Sequence, residues 1–140
     1  MSFLVVRVNI ETKYGDRLVR TSAIVNSGYE AEEPEIHIPI RLAEELGIDL
    51  KGLLSDRYRV VGAEVSVYRL PKVDVRVVTE DVITEWVSCV AVSVSGEYEV
   101  IISDSLMEAL GIVIKRAKTG IWSFIGEDRE RTSSKPQYWV

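Results

Sequence analysis

Over residues 3–10 the apolar side chains Leu4, Val6, Val8 and Ile10 alternate with Arg7 and Asn9, and Glu11 continues the polar set. A period of two puts alternate residues on opposite faces of an extended chain, so this stretch predicts a half-buried strand. Tyr14-Gly15-Asp16 carries turn chemistry, because glycine tolerates positive φ and an aspartate side chain can bond its own backbone. A second strand is expected over 17–25, completing a hairpin. Asn26-Ser27-Gly28 follows, and then Glu30, Glu32, Glu33, Pro34 and Glu35, a stretch with little apolar area to bury and a proline that interrupts pairing. It predicts an exposed loop.

Ile36-His37-Ile38 predicts a short strand, and Pro39 suits the first turn of a helix that carries Leu42 and Leu46 and stops at Gly47. Residues 57–78 are strand-like again, with Val65 and Val67 alternating with polar neighbours and Gly62-Ala63 placed to turn a hairpin. The pattern recurs over 85–94. Val100-Ile101-Ile102, apolar throughout, fits a strand covered on both faces. A brief helix over 106–110 is expected next, with Ser105 and Glu108 at capping-box spacing. Two stretches therefore share one plan, Leu42-Ala43-Glu44-Glu45-Leu46-Gly47-Ile48 and Leu106-Met107-Glu108-Ala109-Leu110-Gly111-Ile112, each entered from a short apolar strand. Leu-Gly after a helix is a common stop signal, so this duplication carries little weight alone.

Ile121-Trp122-Ser123-Phe124 is a last strand candidate. Residues 126–136 are polar, charged and expected to be mobile, whereas Tyr138-Trp139-Val140 restores apolar surface that docking onto a neighbour would cover. The expected organisation is one domain over 1–125 and a polar tail over 126–140 that docks onto a neighbour.

Composition narrows the classes. A chain of 140 residues with 46% hydrophobic content closes one core and is too short for two ordinary domains. The net charge of -5 and the scattered Lys and Arg leave no footprint for a phosphate backbone, so no nucleic-acid partner is expected. Cys89 is the single cysteine; it cannot form an internal disulfide, and its apolar setting predicts a small buried side chain. No run approaches the roughly 20 apolar residues that span a bilayer, and Met1-Ser2-Phe3 leads into strand-like sequence without a basic n-region. No membrane partner and a cytoplasmic location are the expectations. His37 has no other histidine or cysteine nearby, so neither a metal nor a cofactor is expected. Trp86 and Trp122 suit core or interface positions better than ligand stacking.

The order of features is more specific than any one of them. A hairpin leads to Ala23-Ile24-Val25 and Asn26-Ser27-Gly28, then a strand-proline-helix unit ending in Leu-Gly, then a glycine-tipped hairpin, then Val100-Ile101-Ile102 and a second Leu-Gly helix. Over residues 3–124 this resembles the retropepsin-like (retroviral-type) aspartic peptidases. In that family the strand ends in Asp-Thr-Gly or Asp-Ser-Gly, the tipped hairpin is a flap, and the later apolar run precedes Gly-x-Asp and a short helix. The resemblance implies a mainly β, closed β-barrel-like retropepsin (acid protease) fold with two short helices. It also implies a homodimer, because hydrolysis needs two aspartates sharing one proton and each protomer supplies one. The 126–140 tail then docks at the dimer interface. The partner is then a peptide or protein substrate held in extended form between floor and flap. Asn26 takes the catalytic position, Ser27 bonds across the dimer, and Gly28 lets the backbone turn sharply close to substrate. Tyr29, Val61, Gly62, Ala63 and Glu64 are the implied substrate-binding residues.

The chain departs from that family at its most sensitive point. The neutral amide of Asn26 can orient water but cannot deprotonate it, so the sequence as it stands predicts an inactive aspartic endopeptidase. Two origins remain open: a native pseudo-peptidase, or an aspartate exchanged for its isosteric amide to keep the protein from cutting itself or a ligand. Tyr29 replaces a small residue and narrows the pocket, and Ser103-Asp104-Ser105 replaces Gly-x-Asp, with Ser105 still able to cap the helix. Two other classes stand against the enzyme: a non-enzymatic interaction module using the same fold, and a small β-barrel in which the tripeptide is a plain turn. Without that tripeptide, Gly62-Ala63 is a surface hairpin; the acidic loop is most simply a solvated segment in either case.

Overall fold

The computed structural model describes residues 5–51, 55–60 and 63–140, and side chains outside 52–65. Strand β1 (Val6–Tyr14) buries Val6, Val8 and Ile10, as the alternation predicts, and pairs antiparallel with β2 (Arg17–Val25). The turn between them is Gly15-Asp16, with Gly15 at φ +60°. β3 (Glu35–His37) leads to helix α1 (Ile40–Glu45), for which Pro39 is the N-cap rather than a first-turn residue. Next come β4 (Ser55–Val60), β5 (Ala63–Val77), β6 (Val87–Val94), β7 (Val100–Ile102), helix α2 (Asp104–Ala109), β8 (Ile112–Arg116), β9 (Ile121–Phe124) and β10 (Arg131–Thr132).

The protein is mainly β. Seven strands run in the order β1-β2-β7-β3-β6-β5-β4, and β1 also pairs with β5 through Ile10↔Val77 to Lys13↔Asp74. This second pairing closes β1, β2, β7, β3, β6 and β5 into a six-strand barrel and removes the free edges an open sheet would leave. β5 serves two structures. Its later half belongs to the barrel, while its first half pairs with β4 as a hairpin up to Val60↔Ala63. The pairing with β6 shifts register between Leu70 and Val73, and Pro71, which has no N–H to donate, sits in that irregularity.

The barrel interior is filled by Ile10, Ile36, Val75 and Ile102, and Leu42 and Leu106 from the two helices join them, all fully buried. Each contributes about 1.5–3 kcal/mol relative to exposure. Cys89 is buried in the same core, as expected, and burial pushes its thiol up to about 12. Trp122 is core; Trp86 is half-buried, with the Arg76 guanidinium 4.2 Å from its ring centre. Among the described residues, no helix is long and apolar enough to cross a membrane.

The duplicated sequence plan has a structural counterpart. Both helices close on a left-handed glycine, Gly47 at φ +76° and Gly111 at φ +74°, after matching bonds from Leu46 N–H to Leu42 O and from Leu110 N–H to Leu106 O, each 2.9 Å. The strands entering them are also equivalent: β7 lies parallel to β2, β3 lies parallel to β6, and β3 and β7 pair antiparallel through Ile36↔Ile102 and His37↔Ile101. Ala23 beside Val100 corresponds to Ala91 beside Ile36. Counting on from those residues, Asn26-Ser27-Gly28 has Val94-Ser95-Gly96 as its counterpart.

Two expectations change at the helix caps and the C-terminus. The N-cap of α2 is Ser103, not Ser105: its Oγ accepts from Leu106 N–H at 3.2 Å. Residues 126–136, expected to be mobile, contain β10, which joins β9 and the unanticipated β8 in a three-stranded sheet. Arg131 is buried there because its charge is matched: it pairs with Asp81 at 2.8 Å and Glu127 at 2.7 Å and lies 5.0 Å from the Phe124 ring centre. A count of polar residues does not reveal such pairing. The tail then packs on its own barrel, with Ser134 N–H donating to Arg7 O, Trp139 N–H to Tyr98 O and Trp139 Nε1–H to Thr21 Oγ1. Tyr138 and Val140 stay exposed.

Ser103 Oγ also accepts from Glu35 N–H at 3.1 Å, so one buried hydroxyl joins the helix cap to β3. Ser103→Ala therefore leaves two backbone donors short of a partner and is expected to cost about 1–3 kcal/mol by urea unfolding. A loss no larger than that of an exposed serine such as Ser27→Ala contradicts this role.

Candidate functional site

At the end of β2 the Asn26 N–H continues the ladder to Ile102 O at 3.4 Å, after which the chain leaves the barrel. Asn26 Oδ1 accepts from Gly28 N–H at 3.0 Å and Asn26 O accepts from Tyr29 N–H at 3.0 Å, so the tripeptide is a self-braced turn. All three residues are exposed. Gly28 does not adopt a positive φ; a Cβ there would lie 3.2 Å from Asn26 Oδ1, so its role is close approach rather than a left-handed turn.

The acidic loop that follows exposes Glu30, Glu32 and Glu33, as expected, yet it is moored to the start of α2. Asp104 N–H donates to Tyr29 O at 2.8 Å, Asp104 Oδ1 accepts from Ala31 N–H at 2.9 Å, and the Ser105 hydroxyl donates to Ala31 O. Ser103 N–H donates to Glu35 O at 3.0 Å. Ser103-Asp104-Ser105 thus fastens this loop with side-chain and backbone bonds. Tyr29 is half-buried and its hydroxyl donates to Glu35 Oε2; burial first, and the neighbouring carboxylate second, hold the phenol pKa well above its usual value.

Tyr29 and Glu35 border an open cleft of about 890 Å³ on the outer side of the barrel. Its walls are the hairpin stem, through Val67 and Leu70, and the outward row Val90, Val92 and Val94 of β6; His37 and Ile101 line it from the β3–β7 pair. The hairpin stem is tied down by Ser95 N–H donating to Ser66 O at 2.9 Å and Ser66 N–H donating to Ser95 Oγ at 3.0 Å. Of the residues implied by the resemblance, Tyr29 lines the cleft, while Ser27 borders a separate hollow of about 570 Å³ with Asp104, Met107 and Ile114. Asn26 and Gly28 sit on the exposed turn. Ala63 and Glu64 begin β5, and Val61 and Gly62 lie outside the described residues.

His37 was set aside in the sequence because it has no metal-binding neighbours, yet it is the buried polar group of the cleft, 3% exposed. Its Nδ1 is 3.0 Å from Glu99 O; a carbonyl only accepts, which assigns the proton to Nδ1 and leaves a lone pair on Nε2. Among the described residues Nε2 has no hydrogen-bond partner. Burial pushes the imidazole pKa below its ordinary 6.5, against the opposing pull of the Glu99 and Val94 carbonyls and the Glu97 carboxylate. Glu99 is fixed in turn by a two-point pair with Arg7, Nε to Oε1 at 2.8 Å and Nη2 to Oε2 at 3.1 Å. The sequence did carry a signal for this cleft: Val90, Val92 and Val94 make the outward face of a barrel strand apolar, which needs a cover.

Among the described residues, no three His, Cys, Asp or Glu side chains are grouped to hold a metal ion. Neither protein-family models nor curated proteins match this chain.

Stability should fall with acid. A histidine with a lowered folded pKa takes up less proton than in the unfolded chain, so its contribution is complete above 6.5 and is lost as pH falls through the folded value. Asp81 and Glu127, both held low by the Arg131 guanidinium, have the same sign below their ordinary 3.8 and 4.5. Glu11 joins them, because Arg76 and Arg20 outweigh the opposing effect of its burial. The urea midpoint is expected to drop between about pH 7 and 5 through His37, and again in the carboxylate range. His37→Gln should flatten the first drop; a wild-type midpoint that is constant or rising over that interval contradicts the assignment.

Proposed function

We propose that this chain is a retropepsin-like aspartic peptidase homologue that works as a homodimer. It holds an extended peptide or protein segment between Asn26-Ser27-Gly28 and the β4–β5 hairpin. As written it binds without hydrolysing, because Asn26 occupies the position of the catalytic aspartate. The observation that carries this proposal is the exposed, self-braced Asn26-Ser27-Gly28 turn at the end of a barrel strand, next to a residue, Tyr29, that borders an apolar cleft under a hairpin stem.

The chemistry of each part fits. An exposed turn leaves the Asn26 amide, braced by Gly28 N–H, accessible to its mate from a second protomer, which a buried turn would prevent. The cleft offers apolar walls for alternate side chains of an extended peptide, and the hairpin supplies the element that closes over it. A carboxamide retains the shape and hydrogen bonds of a carboxylate but lacks its basicity, so water is oriented and not activated. The amide removes hydrolysis; the alternative reading, a non-enzymatic interaction module, uses the same fold to hold a partner without cleaving it.

Restoring the acid tests the enzyme reading. Asn26→Asp should cleave members of a mixed peptide library between about pH 4 and 7, at least about 10²-fold faster than the unaltered chain. Light scattering at micromolar concentration should give the mass of two chains for both proteins. A strictly monomeric Asn26→Asp protein that cleaves nothing overturns the proposal.

A further inference from the structure

We infer that β8 is the surface through which two copies of the chain join: its free edge pairs antiparallel with the same edge of the partner, so that the three-stranded sheets of the two protomers become one sheet with no segment exchanged. The inference rests on the homodimer proposed above and names the surface that makes it.

β8 is the outermost strand of the β10-β9-β8 sheet, paired with β9 and, among the described residues, with no other strand. Its register assigns the unpaired backbone groups. Gly111 O accepts from Ile125 N–H at 2.8 Å, so in an antiparallel ladder the next pair to exchange bonds is Val113↔Ser123, and the pairs Ile112↔Phe124 and Ile114↔Trp122 do not. Phe124 N–H agrees, donating to Glu127 Oε1 at 2.8 Å rather than to β8. The N–H and C=O groups of Ile112 and Ile114 therefore point away from β9, a row that readily templates another strand.

Backbone bonds alone would accept any extended chain, and the charges favour a second copy. A hollow of about 570 Å³ lies between α2 and β8, lined by Met107, Val113, Ile114 and the 78% exposed Ile125, so a strand laid there covers apolar area as well as backbone. The two ends of β8 differ in sign. Glu108, exposed, borders the hollow at the Gly111 end, and the exposed Lys115, Arg116 and Lys118 follow at the other, with Arg116 held only loosely by Glu130 at 3.8 Å. A twofold axis makes the joined edges antiparallel, which sets the basic end of each copy beside the acidic end of the other; a parallel arrangement would set like against like. Ser27 borders the same hollow, so the pairing carries the Asn26-Ser27-Gly28 turns toward the axis.

Isotope-labelled and unlabelled chains are mixed in equal amounts, and isotope-filtered NMR reads proximity between copies alone. Contacts between Val113 or Ile114 of one chain and β8 of the other are expected. Lys115→Glu, on an exposed side chain, should weaken the dimer by about threefold to tenfold at low salt, and adding Glu108→Lys should recover it. A dimer whose copies touch elsewhere and not along β8, or whose dissociation constant ignores Lys115→Glu, overturns the inference and leaves the proposed dimer standing. An Ile114 amide signal that moves with an added valine-rich peptide and not with protein concentration makes the edge a ligand site and also overturns it. A chain that stays monomeric at millimolar concentration overturns both readings.

Discussion

The antiparallel contact between β3 and β7, Ile36↔Ile102 and His37↔Ile101, is the constraint from which the rest of the site follows. Both strands are only three residues long and neither could persist alone. They are stable because each is also paired in parallel on its far side, β3 with β6 and β7 with β2, inside a barrel that β1 and β5 close. Ile36 and Ile102 fill the interior, and the outward positions His37 and Ile101 become lining of the cleft. The same pairing sets where the chain leaves β2 at Asn26 and β6 at Val94.

Around that centre, polar groups hold loops in place more than they stabilise the whole. Ser103 caps α2 and bonds β3; Asp104 and Ser105 anchor the acidic loop; Arg7 with Glu99 positions the carbonyl that orients His37. These contacts are short-range and largely shielded, so they fix geometry where an exposed ion pair such as Lys72–Glu33, at 3.8 Å, would add little. The outcome is a cleft with apolar walls, the buried His37 in its lining, and an exposed turn beside it.

Much of the fold was legible in the sequence, because barrel strands alternate and short helices announce their ends. β2 was located to the residue, and the two Leu-Gly helices, a weak signal when read as text, are related by strand pairing in space. Less visible were contacts joining residues far apart in the chain. Arg131 looks like part of a solvated tail until Asp81 and Glu127 are brought to it, and β8 is concealed because Ile112 closes the helix plan. The candidate site was half legible. The tripeptide and Tyr29 stand out by pattern, whereas His37 becomes meaningful only when β3 carries it next to Glu99 and the outward valines of β6.

The central claim is that two copies of the chain bring their Asn26-Ser27-Gly28 turns together. Ser27→Cys with a short thiol-to-thiol crosslinker measures this directly, since Cys89 is buried with its thiol pushed up to about 12 and does not compete. A covalent dimer as the main product at micromolar protein, linked through position 27, is the predicted result. Monomer alone, with both thiols of each chain unlinked, would contradict the account.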